Sequence, residues 1–539
     1  PPALAATPRV SVVVAAYDAA AMLGECLASL EVQSYPDYET IVVDDGSTDA
    51  TAQVAGLAGT RVVRVDHRGL GAARNAGIDA ASGEIVAFLD ADARADRDWL
   101  YHLAECITRR GAAAAGGPNF APAPKNTKAA AMAAAPGLPC EVRADDDRLA
   151  QLCGCNMAIT RAALRAVGGF DPDFSAAGDD VDLSWRLAER GETLAMAPGA
   201  IAIHERRTTI RAYLAQQRGY GAGEGALYRR YPIRAGAGDA IYARGFGLNS
   251  ILGGARVYYG AFGRGLFQTV YPNASLQPAA DLALSIQWVG AAIVLIILGV
   301  FSRPLGVLGA AGIVISMIVA ALGAARAPLP PRFRGPFARV RLWLLFLLGP
   351  LQRSIARERV KWTIEEIADD DVAAPGMKGS IILAPASGDA ATPVEAAAML
   401  VAIRRALIRR GFAVAATDGF QSYDLEAIVP PMIRAPLNAV TRERGRVALK
   451  WRMRADPRRA LIVAGCVFIV LMAAGLSLDE ALVAVFLSAL AIGGFALLRA
   501  RRLAAAIVAS AAEAAQALGV TLGESSDGNG PGHAPGDGA

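Results

Sequence analysis

The stretch Ser82–Asp92 reads SGEIVAFLDAD and places five apolar residues directly before two aspartates. The run Ile85–Leu89 has the length and apolar character of a buried strand. Asp90 and Asp92 stand at positions i and i+2 just past its end, where both carboxylates can reach one hard divalent cation. Such a cation keeps some waters and takes its remaining ligands from substrate phosphates. Taken alone, the pattern D-x-D is more often a solvated turn than a metal site, so the surrounding sequence has to decide between them.

Predicted strands and helices alternate through residues 9–117. The predicted strands are Val10–Ala16, Glu39–Asp44, Arg61–Val65 and Ile85–Leu89, and the predicted helices are Met22–Leu30, Ala50–Leu57 and Ala72–Ala81. Alternation at this spacing predicts a parallel α/β sheet with buried strands. Ligands of such sheets bind beyond the carboxyl ends of the strands. Polar residues cluster at those ends, namely Asp18, Asp44, Asp45, Asp90 and Asp92.

The composition indicates a chain of more than one unit with membrane segments. The 539 residues are too many for one compact domain, and 54% of them are hydrophobic, which is high for a soluble protein. The net charge of +4 gives no case for nucleic-acid binding. Among the six cysteines the one close pair is Cys153-Gly154-Cys155, and no zinc spacing occurs. We interpret these residues as ordinary reduced thiols, in preference to a metal or redox role.

Four apolar runs are long enough to span a bilayer core. They are Ala283–Phe301, Leu305–Ala325, Leu461–Leu478 and Ala481–Leu498. The members of each pair are joined by a few residues only, which predicts two transmembrane hairpins, 283–325 and 461–498; pairs of buried core helices are the alternative. Arginines flank the hairpins on one side, whereas the connecting turns carry Arg303 at one and Asp479 with Glu480 at the other. The positive-inside rule then places both termini and the segment between the hairpins in the cytosol.

The remaining segments carry simpler predictions. Residues 118–150 are rich in Ala and Pro and are predicted to be a loop-rich insertion. A strand is predicted at Gln151–Thr160 and helices at Asp180–Arg190 and 208–228. Residues 231–282 are predicted to be a membrane-proximal connector, and residues 339–358 a helix in the membrane interface. Residues 378–455 predict a small soluble α/β unit, with a strand at Ser380–Ala384 and a helix at Pro393–Arg410, and residues 519–539 predict a disordered tail.

The N-terminal motifs together resemble the family-2 glycosyltransferases. The matching stretches are VSVVVAAYD (Val10–Asp18), ETIVVDDGSTD (Glu39–Asp49), GLGAARNAGI (Gly69–Ile78), SGEIVAFLDAD (Ser82–Asp92), and Gly168–Asp171 with GDDVDLSWR (Gly178–Arg186). They cover residues 9–230. The resemblance implies a GT-A fold of the α/β class, here followed by the transmembrane hairpins and the small cytosolic α/β unit. It also implies a metal-dependent, inverting transfer of a sugar, of the hexosyltransferase type, from a nucleotide-sugar donor.

The resemblance implies a donor site at the end of the first strand and after the second. The residues implied in donor binding are Ala16, Tyr17, Asp44, Asp45, Arg68, Arg74, Asp90 and Asp92. Tyr17 matches a position near the base, and Asp44 and Asp45 match carboxylates near the base and ribose. A carboxylate can accept a hydrogen bond from a uracil N–H, so a UDP-sugar is the favoured donor. The two aspartates could instead cap the turn before the next helix, and Arg74 could lie on a helix surface beside Asn75.

The resemblance also implies a metal centre and a catalytic base. Asp90, Asp92 and His204 are the implied ligands of a divalent metal, Mn²⁺ or Mg²⁺, although a lone histidine is often structural. The implied base is Asp180, the second acid of the pair Asp179-Asp180, which would take the proton of the acceptor hydroxyl. The same pair could simply favour the dipole at the start of a helix.

The motif of processive synthases is incomplete in this chain. Cellulose- and chitin-type synthases carry Q-x-x-R-W where this sequence reads QQRGY, so Gly219 and Tyr220 argue against a polymer synthase. The resemblance favours transfer of one sugar to a lipid-linked or cell-envelope glycan acceptor, at the cytosolic face of a bacterial plasma membrane that the chain crosses several times. The alternatives are a processive polysaccharide synthase and a non-catalytic membrane scaffold that binds sugar nucleotides. The retained aspartates weigh against the scaffold.

Overall fold

The central sheet begins with a strand, Val10–Ala16, that consists almost entirely of valine and alanine, residues that fit a pleated and buried surface. The computed structural model describes residues 7–137, 142–143, 147–174, 177–231, 258–259, 264–265, 268–269, 282–300, 302–363, 378–385, 396–416, 424–429, 433–442, 446–455 and 478–523. The chain divides into two compact units. The first comprises Pro1–Leu227, Ala237–Val300 and Gly306–Arg359, and the second Tyr228–Gly236, Phe301–Leu305 and Val360–Ala539.

The described residues up to 231, which belong to the first unit as far as Leu227, contain twelve strands and eight helices. The strands are β1 (Val10–Ala16), β2 (Tyr38–Asp44), β3 (Arg61–Arg64), β4 (Ile85–Leu89), β5 (Ala93–Ala95), β6 (Ala114–Gly116), β7 (Asn119–Phe120), β8 (Val142–Arg143), β9 (Leu149–Gln151), β10 (Asn156–Thr160), β11 (Leu194–Met196) and β12 (Ala202–His204). The helices are α1 (Ala20–Glu31), α2 (Thr51–Leu57), α3 (Leu70–Ala80), α4 (Trp99–Arg110), α5 (Thr127–Ala133), α6 (Arg161–Val167), α7 (Asp179–Glu189) and α8 (Ile210–Arg230).

The main sheet is mixed and not wholly parallel as predicted. Its strand order is β11-β6-β10-β4-β1-β2-β3, and β10 runs antiparallel to both β4 and β6. The chain enters β10 at the carboxyl end of β4, because Asn156 pairs with Leu89 immediately after a tight turn in which the Asn156 amide donates to the carbonyl of Cys153. This entry point brings the turn at residues 153–156 to the edge of the sheet where the predicted ligands lie.

Helices cover both faces of the main sheet. Alternate residues of β1 point to opposite sides: Val12 packs in one apolar cluster with Leu27 of α1 and Trp99 of α4, and Val13 packs in another with Leu183 of α7. The result is a three-layer α/β/α arrangement, which buries the strands on both faces and leaves their ends as the place for polar side chains.

Gly77 allows α3 to lie close to the sheet. A Cβ atom added at Gly77 would stand 2.3 Å from Cγ1 of Val13, whose branched side chain has little freedom to move. We expect Gly77→Ala to lower the free energy of unfolding by about 1–3 kcal/mol. Chemical unfolding followed by circular dichroism measures this change. The matched control is Gly56→Ala in α2, where nothing lies within 4 Å and the expected change is a stabilisation of up to about 1 kcal/mol; equal effects of the two substitutions would contradict the prediction.

The segment predicted as a loop-rich insertion contains regular structure. It includes β7, β8, the start of β9, and the helix α5, which begins where Asn126 accepts a hydrogen bond from the amide of Ala129. Its alanines are buried with residues of the later apolar helices, so tertiary packing supports a helix that composition alone did not predict. The predicted strand at Gln151–Thr160 is shorter, since only Asn156–Thr160 forms β10 and Gln151 ends β9.

Three α-helices follow in the described residues between 282 and 363, after the two-residue strands β13 (Tyr258–Tyr259), β14 (Arg264–Gly265) and β15 (Gln268–Thr269). They are α9 (Ile286–Leu298), α10 (Arg303–Arg326) and α11 (Pro336–Trp362). Within the described part of the chain, α10 alone meets the length and hydropathy expected of a membrane-crossing helix. The 13 residues of α9 are too few to cross a hydrocarbon core in a helical conformation. The first predicted hairpin therefore remains a prediction, as does the connector 231–282, most of which lies outside the described residues.

Helix α11 extends the predicted interfacial helix 339–358 at both ends. One face, with Leu342 and Phe346, is buried in a cluster with α5 and α10. Phe337 and Val340 are exposed. The helix thus has one packed face and an apolar exposed surface, as expected of a helix at a membrane interface, and the interface itself stays a prediction.

The second unit is built on an antiparallel sheet. Its strands are β16 (Lys378–Pro385), β17 (Ala413–Ala416), β18 (Leu425–Val429), β19 (Ile433–Arg442), β20 (Arg446–Arg452), β21 (Arg454–Ala455) and β22 (Val520–Gly523), and its helices are α12 (Ala396–Arg409) and α13 (Leu478–Ala517). The order is β17-β18-β19-β20-β16-β22, with β21 on β19. Helices α12 and α13 pack in its core through Ile403 and Leu503. The predicted unit 378–455 is therefore too short, because α13 and β22 complete it.

Two boundary predictions near the C-terminus need correction. The predicted tail 519–539 is not disordered throughout, because Val520–Gly523 forms β22 and pairs with β16; residues 524–539 lie outside the described residues. The predicted span Ala481–Leu498 is only the first half of the 40-residue α13, which continues because the alanine-rich segment that follows has a core to pack against. Its partner in the second predicted hairpin, Leu461–Leu478, lies outside the described residues except for its last residue.

Candidate active site

Three of the predicted ligands converge just beyond β4. Asp90 and Asp92 follow the strand directly, and His204 ends β12, which pairs with β5 so that His204 lies opposite Ala93. The His204 Nε2 atom is 3.6 Å from Asp90 Oδ2 and 3.3 Å from Asp92 Oδ1. His204 is buried, Asp92 is nearly so, and Asp90 retains some exposure. Sheet pairing therefore assembles residues that are separated by more than one hundred positions in the sequence.

This donor set fits a divalent cation. Two carboxylates and one imidazole are ligands that transition metals accept, and a hard cation can use the carboxylates alone. Burial by itself would raise the pKa of Asp90, but the hydrogen bond with His204 and the charge of Arg74 outweigh burial and lower the pKa to about 2. Asp90 is therefore ionised at neutral pH, as a metal ligand has to be.

Arg74 bridges the two acidic parts of the site. Its guanidinium donates to Asp179 Oδ2 at 2.6 Å, to Asp90 Oδ1 at 2.9 Å and to the carbonyl oxygen of Gly154 at 2.9 Å. Burial would lower the pKa of Arg74, but the neighbouring carboxylates outweigh burial and raise it above its usual value. Arg74 is 3% exposed, so it is not the helix-surface residue that the sequence allowed. Its hydrogen bonds go to groups of the protein, which favours a bridging role over the implied contact with the donor.

Asp180 lies in the first turn of α7, on the wall of a cavity. Gly178 precedes this helix with φ of 93°, a conformation that favours glycine. The amide of Gly154 donates to Asp180 Oδ2 at 2.8 Å, and the amide of Val181 donates to Oδ1. Burial and the neighbouring Asp179 carboxylate raise the pKa of Asp180 to about 6. A carboxylate with a pKa near the working pH suits general base catalysis.

The cavity has a volume of about 520 Å³ and joins the predicted base to the predicted metal ligands. Its walls include Arg74, Asp90, Asp179, Asp180, His204, Arg207, Gln216, Tyr220, Glu224 and Arg353. The wall facing the aspartates comes from α8 and α11. There the buried Glu224 pairs with Arg353, and with Arg357 at 3.3 Å, so the two helices are joined by charge as well as by apolar packing.

A second group of predicted residues lies at the ends of β1 and β2. Tyr17 is 47% exposed, and its ring stacks on His67 with 4.1 Å between centroids. The His67 Nδ1 atom lies 2.9 Å from Asp45 Oδ2. Asp45 also accepts hydrogen bonds from the amides of Arg68 and Gly69 at the start of α3, and its own amide donates to the carbonyl of Ala16. These contacts hold together the two segments that carry the exposed Tyr17 ring and the exposed Arg68 side chain.

Asp44 ends β2 and is held by contacts within the protein. It is fully buried; Oδ1 accepts from the amide of Ser47, and Oδ2 lies 3.4 Å from Nε of Arg64. The Ser47 contact is the turn cap that the sequence allowed, whereas Oδ2 has no hydrogen-bond partner among the described residues; a contact with the base stays a prediction.

Several residues of the site were not identified from sequence patterns. His67 supports Tyr17, Arg207 lies 3.4 Å from Asp92, and Glu224 with Arg353 closes the far wall of the cavity. A signal existed for His67, because it precedes Arg68 in a loop already implicated, and for Arg207, because it follows His204 closely. The pair Glu224 and Arg353 carries no local motif.

Comparison with known proteins agrees with this architecture. Residues 11–168 match the family model of Glycosyl transferase family 2. The chain is 30% identical over 209 residues to the glycosyltransferase AglE of Haloferax volcanii, which covers 37% of this chain and 68% of that protein. It is 31% identical over 216 residues to the pre-mycofactocin glycosyltransferase of Mycobacterium tuberculosis, which covers 37% of this chain but only 44% of that protein.

A solved structure is also similar, though weakly. It is the mannosyltransferase PcManGT from Pyrobaculum calidifontis in complex with GDP-Man and Mn²⁺, at 20% identity and a TM-score of 0.36, with 66% of this chain and 88% of the other covered. A likeness this low assigns neither a donor nor a metal. The motifs, the α/β/α architecture and the family match lead to one conclusion: the chain belongs to glycosyl transferase family 2, and its N-terminal domain has the GT-A fold.

Proposed function

We propose that this protein is an inverting, metal-dependent glycosyltransferase of the hexosyltransferase type. It transfers a sugar from a nucleotide-sugar donor to a lipid-linked or cell-envelope glycan acceptor. The observation that carries the proposal is that Asp90 and His204 line the same cavity as Asp180, with Arg74 joining the two sides. A site for the leaving group and a site for the base thus lie within one space.

The reaction follows from these positions. Asp90, Asp92 and His204 would hold Mn²⁺ or Mg²⁺, which when bound offsets the charge that develops on a diphosphate leaving group. Asp180 accepts the proton of an acceptor hydroxyl as that oxygen attacks the anomeric carbon on the face opposite the diphosphate. One displacement of this kind inverts the configuration of the sugar. Arg74 fixes the position of α7, the helix that carries Asp180, relative to Asp90.

The donor is held by the groups at the ends of β1 and β2. The exposed Tyr17 ring, backed by His67, offers a flat surface on which a nucleobase can stack. Arg68, whose amide is bonded to Asp45, and Arg207, which pairs with Asp92, have exposed side chains, and arginine suits the geometry of phosphate oxygens. A UDP-sugar is the preferred donor, because the Asp45 carboxylate lies beside this surface and a carboxylate can accept a hydrogen bond from a uracil N–H.

The acceptor is delivered from a membrane. Large apolar side chains are exposed along α9 and α10, among them Ile297, Val307 and Ile318, and unpaired apolar surface of this extent favours lipid contact. Helix α11, which follows these two helices, contributes Arg353 to the cavity. We place the protein in the bacterial inner membrane as a multi-pass protein with the catalytic domain in the cytosol, where nucleotide sugars are made.

A donor screen tests the proposed function. Full-length protein in detergent is incubated with UDP-, GDP- and dTDP-sugars plus Mn²⁺ or Mg²⁺, and release of the nucleoside diphosphate is measured. We expect hydrolysis or transfer with one base class and dependence on the added metal. Release that persists in EDTA would contradict the metal requirement, and no release with any donor would favour the scaffold alternative.

The pH dependence follows from the environment of Asp180. Because its pKa is raised to about 6, the base loses activity on protonation below that pH. We expect kcat/KM to fall about tenfold per pH unit well below 6, at saturating metal. An apparent pKa close to that of an ordinary aspartate, about 3.9, would contradict this environment.

A further inference from the structure

One face of helix α8 forms the cavity wall that the donor and the metal do not use. Gln216, Tyr220 and Glu224 are each four residues apart in the sequence, so their side chains follow one another along one side of the helix. All three line the cavity that also contains Asp180. We call these three residues the α8 face. It belongs to the same compact unit as Asp180, and it lies outside the residues that match the family model.

Glu224 is a buried carboxylate with room for further hydrogen bonds. It is 5% exposed. Nε of Arg353 donates to its Oε1 atom, and Nη1 of Arg357 donates to its Oε2 atom at 3.3 Å. A carboxylate has about four acceptor positions, so each oxygen can accept another bond from a molecule in the cavity. The Arg353 guanidinium also lies over the ring of Tyr220, 5.3 Å from its centroid. The α8 face thus presents a carboxylate, a phenol and an amide, which are groups that bind hydroxyls.

The charges around the α8 face disfavour an anion. The guanidinium that lines this wall, that of Arg353, is already paired with Glu224. The hydrogen bonds of the Asp180 carboxylate within the described chain come from backbone amides. A phosphate placed between Asp180 and the α8 face would therefore meet like charges in a partly desolvated space, which is unfavourable. A neutral hydroxyl avoids this repulsion and brings a proton that Asp180 can take.

We propose that the α8 face binds the acceptor as a neutral saccharide, so that the enzyme extends an existing glycan and does not place the first sugar on a lipid phosphate. The proposal rests on the proposed function and names the class of its acceptor. In the transfer step, the oxygen of a saccharide hydroxyl forms a bond to the anomeric carbon of the donor. The bond from that carbon to the diphosphate breaks, and the hydroxyl proton passes to Asp180. A separate reaction that attaches the first sugar to a carrier must therefore supply this acceptor.

A choice between two kinds of acceptor tests this proposal. Full-length protein in a detergent without a sugar headgroup is incubated with metal and with the donor found in the screen, labelled in its sugar. The saccharide acceptors are octyl glucoside, octyl galactoside and octyl mannoside, and the lipid phosphate without a sugar is farnesyl phosphate. We expect label on at least one octyl glycoside and none on farnesyl phosphate. Release of nucleoside diphosphate without any acceptor is measured in parallel and reports on the proposed function by itself.

Variants of the α8 face show whether it binds the saccharide. Glu224→Gln should raise the KM of the octyl glycoside about 10–100-fold, on the scale of a hydrogen bond to a charged group. Gln216→Ala should raise it about 3–10-fold, on the scale of a neutral hydrogen bond, and leaves the ion pairs of Glu224 intact. The matched controls, Glu31→Gln in α1 and Gln53→Ala in α2, are at exposed positions and should behave as the wild type does. Circular dichroism checks the fold of each variant.

The comparison of the two KM values separates binding from a structural role. A residue that only joins α8 to α11 would change the KM of the donor and that of the glycoside together, whereas an acceptor-binding residue changes mainly the second. Transfer to farnesyl phosphate would overturn the proposal, as would donor release without transfer to any glycoside. An unchanged glycoside KM in both Glu224→Gln and Gln216→Ala would exclude the α8 face. Absence of donor release altogether would overturn the proposed function, and the acceptor class would fail with it.

Discussion

Asp180→Asn is expected to lower sugar transfer by on the order of 10²–10⁴, the usual contribution of a positioned general base. The asparagine keeps the size of the side chain and one acceptor oxygen, which can serve one of the two amides, of Gly154 and Val181, that donate to Asp180. It cannot take a proton at neutral pH. Donor and metal binding should survive, because Asp90, Asp92 and His204 are untouched. Rates of transfer and calorimetric donor affinities, measured on the same preparations, separate the two effects.

The control for this substitution is Asp79→Asn, at an exposed position near the end of α3, which should leave the rate unchanged. If Asp180 served only the start of α7, asparagine would replace it with little loss. Near wild-type transfer by Asp180→Asn would therefore exclude Asp180 as the base and shift attention to Asp179. Asp179 is the weaker candidate for the base on structural grounds. Its carboxylate is buried against one guanidinium nitrogen of Arg74, and the other nitrogen is bonded elsewhere in the protein.

Asp92→Ala is expected to weaken metal-dependent donor binding by more than about 100-fold. Loss of a group that merely orients a ligand changes metal affinity by about 10–100-fold, and loss of a ligand should cost more. Asp92 is a sharper choice than Asp90, because Asp90 also pairs with Arg74 and its removal would disturb the bridge to α7. Among the described residues, the ion pairs of Asp92 are those with His204 and Arg207.

Calorimetric titration with the donor found in the screen, with and without Mn²⁺, measures the effect of Asp92→Ala. Asp37→Ala, at an exposed position before β2, is the matched control and should bind donor as the wild type does. Unchanged donor affinity together with unchanged metal dependence in Asp92→Ala would remove Asp92 from the metal site. The folded state should tolerate the change, since Asp92 lies at the end of the sheet and outside its apolar clusters.

The strands of the N-terminal domain could be predicted closely from the sequence. β1 and β4 have the predicted bounds, and β2 and β3 differ by a single residue at one end. Buried strands appear in the sequence as short apolar runs. The spacing of their apolar residues and the polar residues that bound them are local properties of the chain. For the same reason Asp90 and Asp92 could be identified as candidates, since they stand directly after such a run, whereas Asp180 was implied by the resemblance to the family.

Partnerships between distant segments could not be predicted in this way. The antiparallel direction of β10, the bridge from Arg74 to Asp179, and the pair Glu224 and Arg353 each join residues far apart along the chain. The strand β22 depends on pairing with β16, so its own composition suggested a disordered tail. The sequence by itself determined which residues carry charge and where strands begin and end, because these follow from local apolar patterning. Tertiary structure alone decided which charges meet, because burial selects for each polar group a partner that chain geometry brings within hydrogen-bond distance.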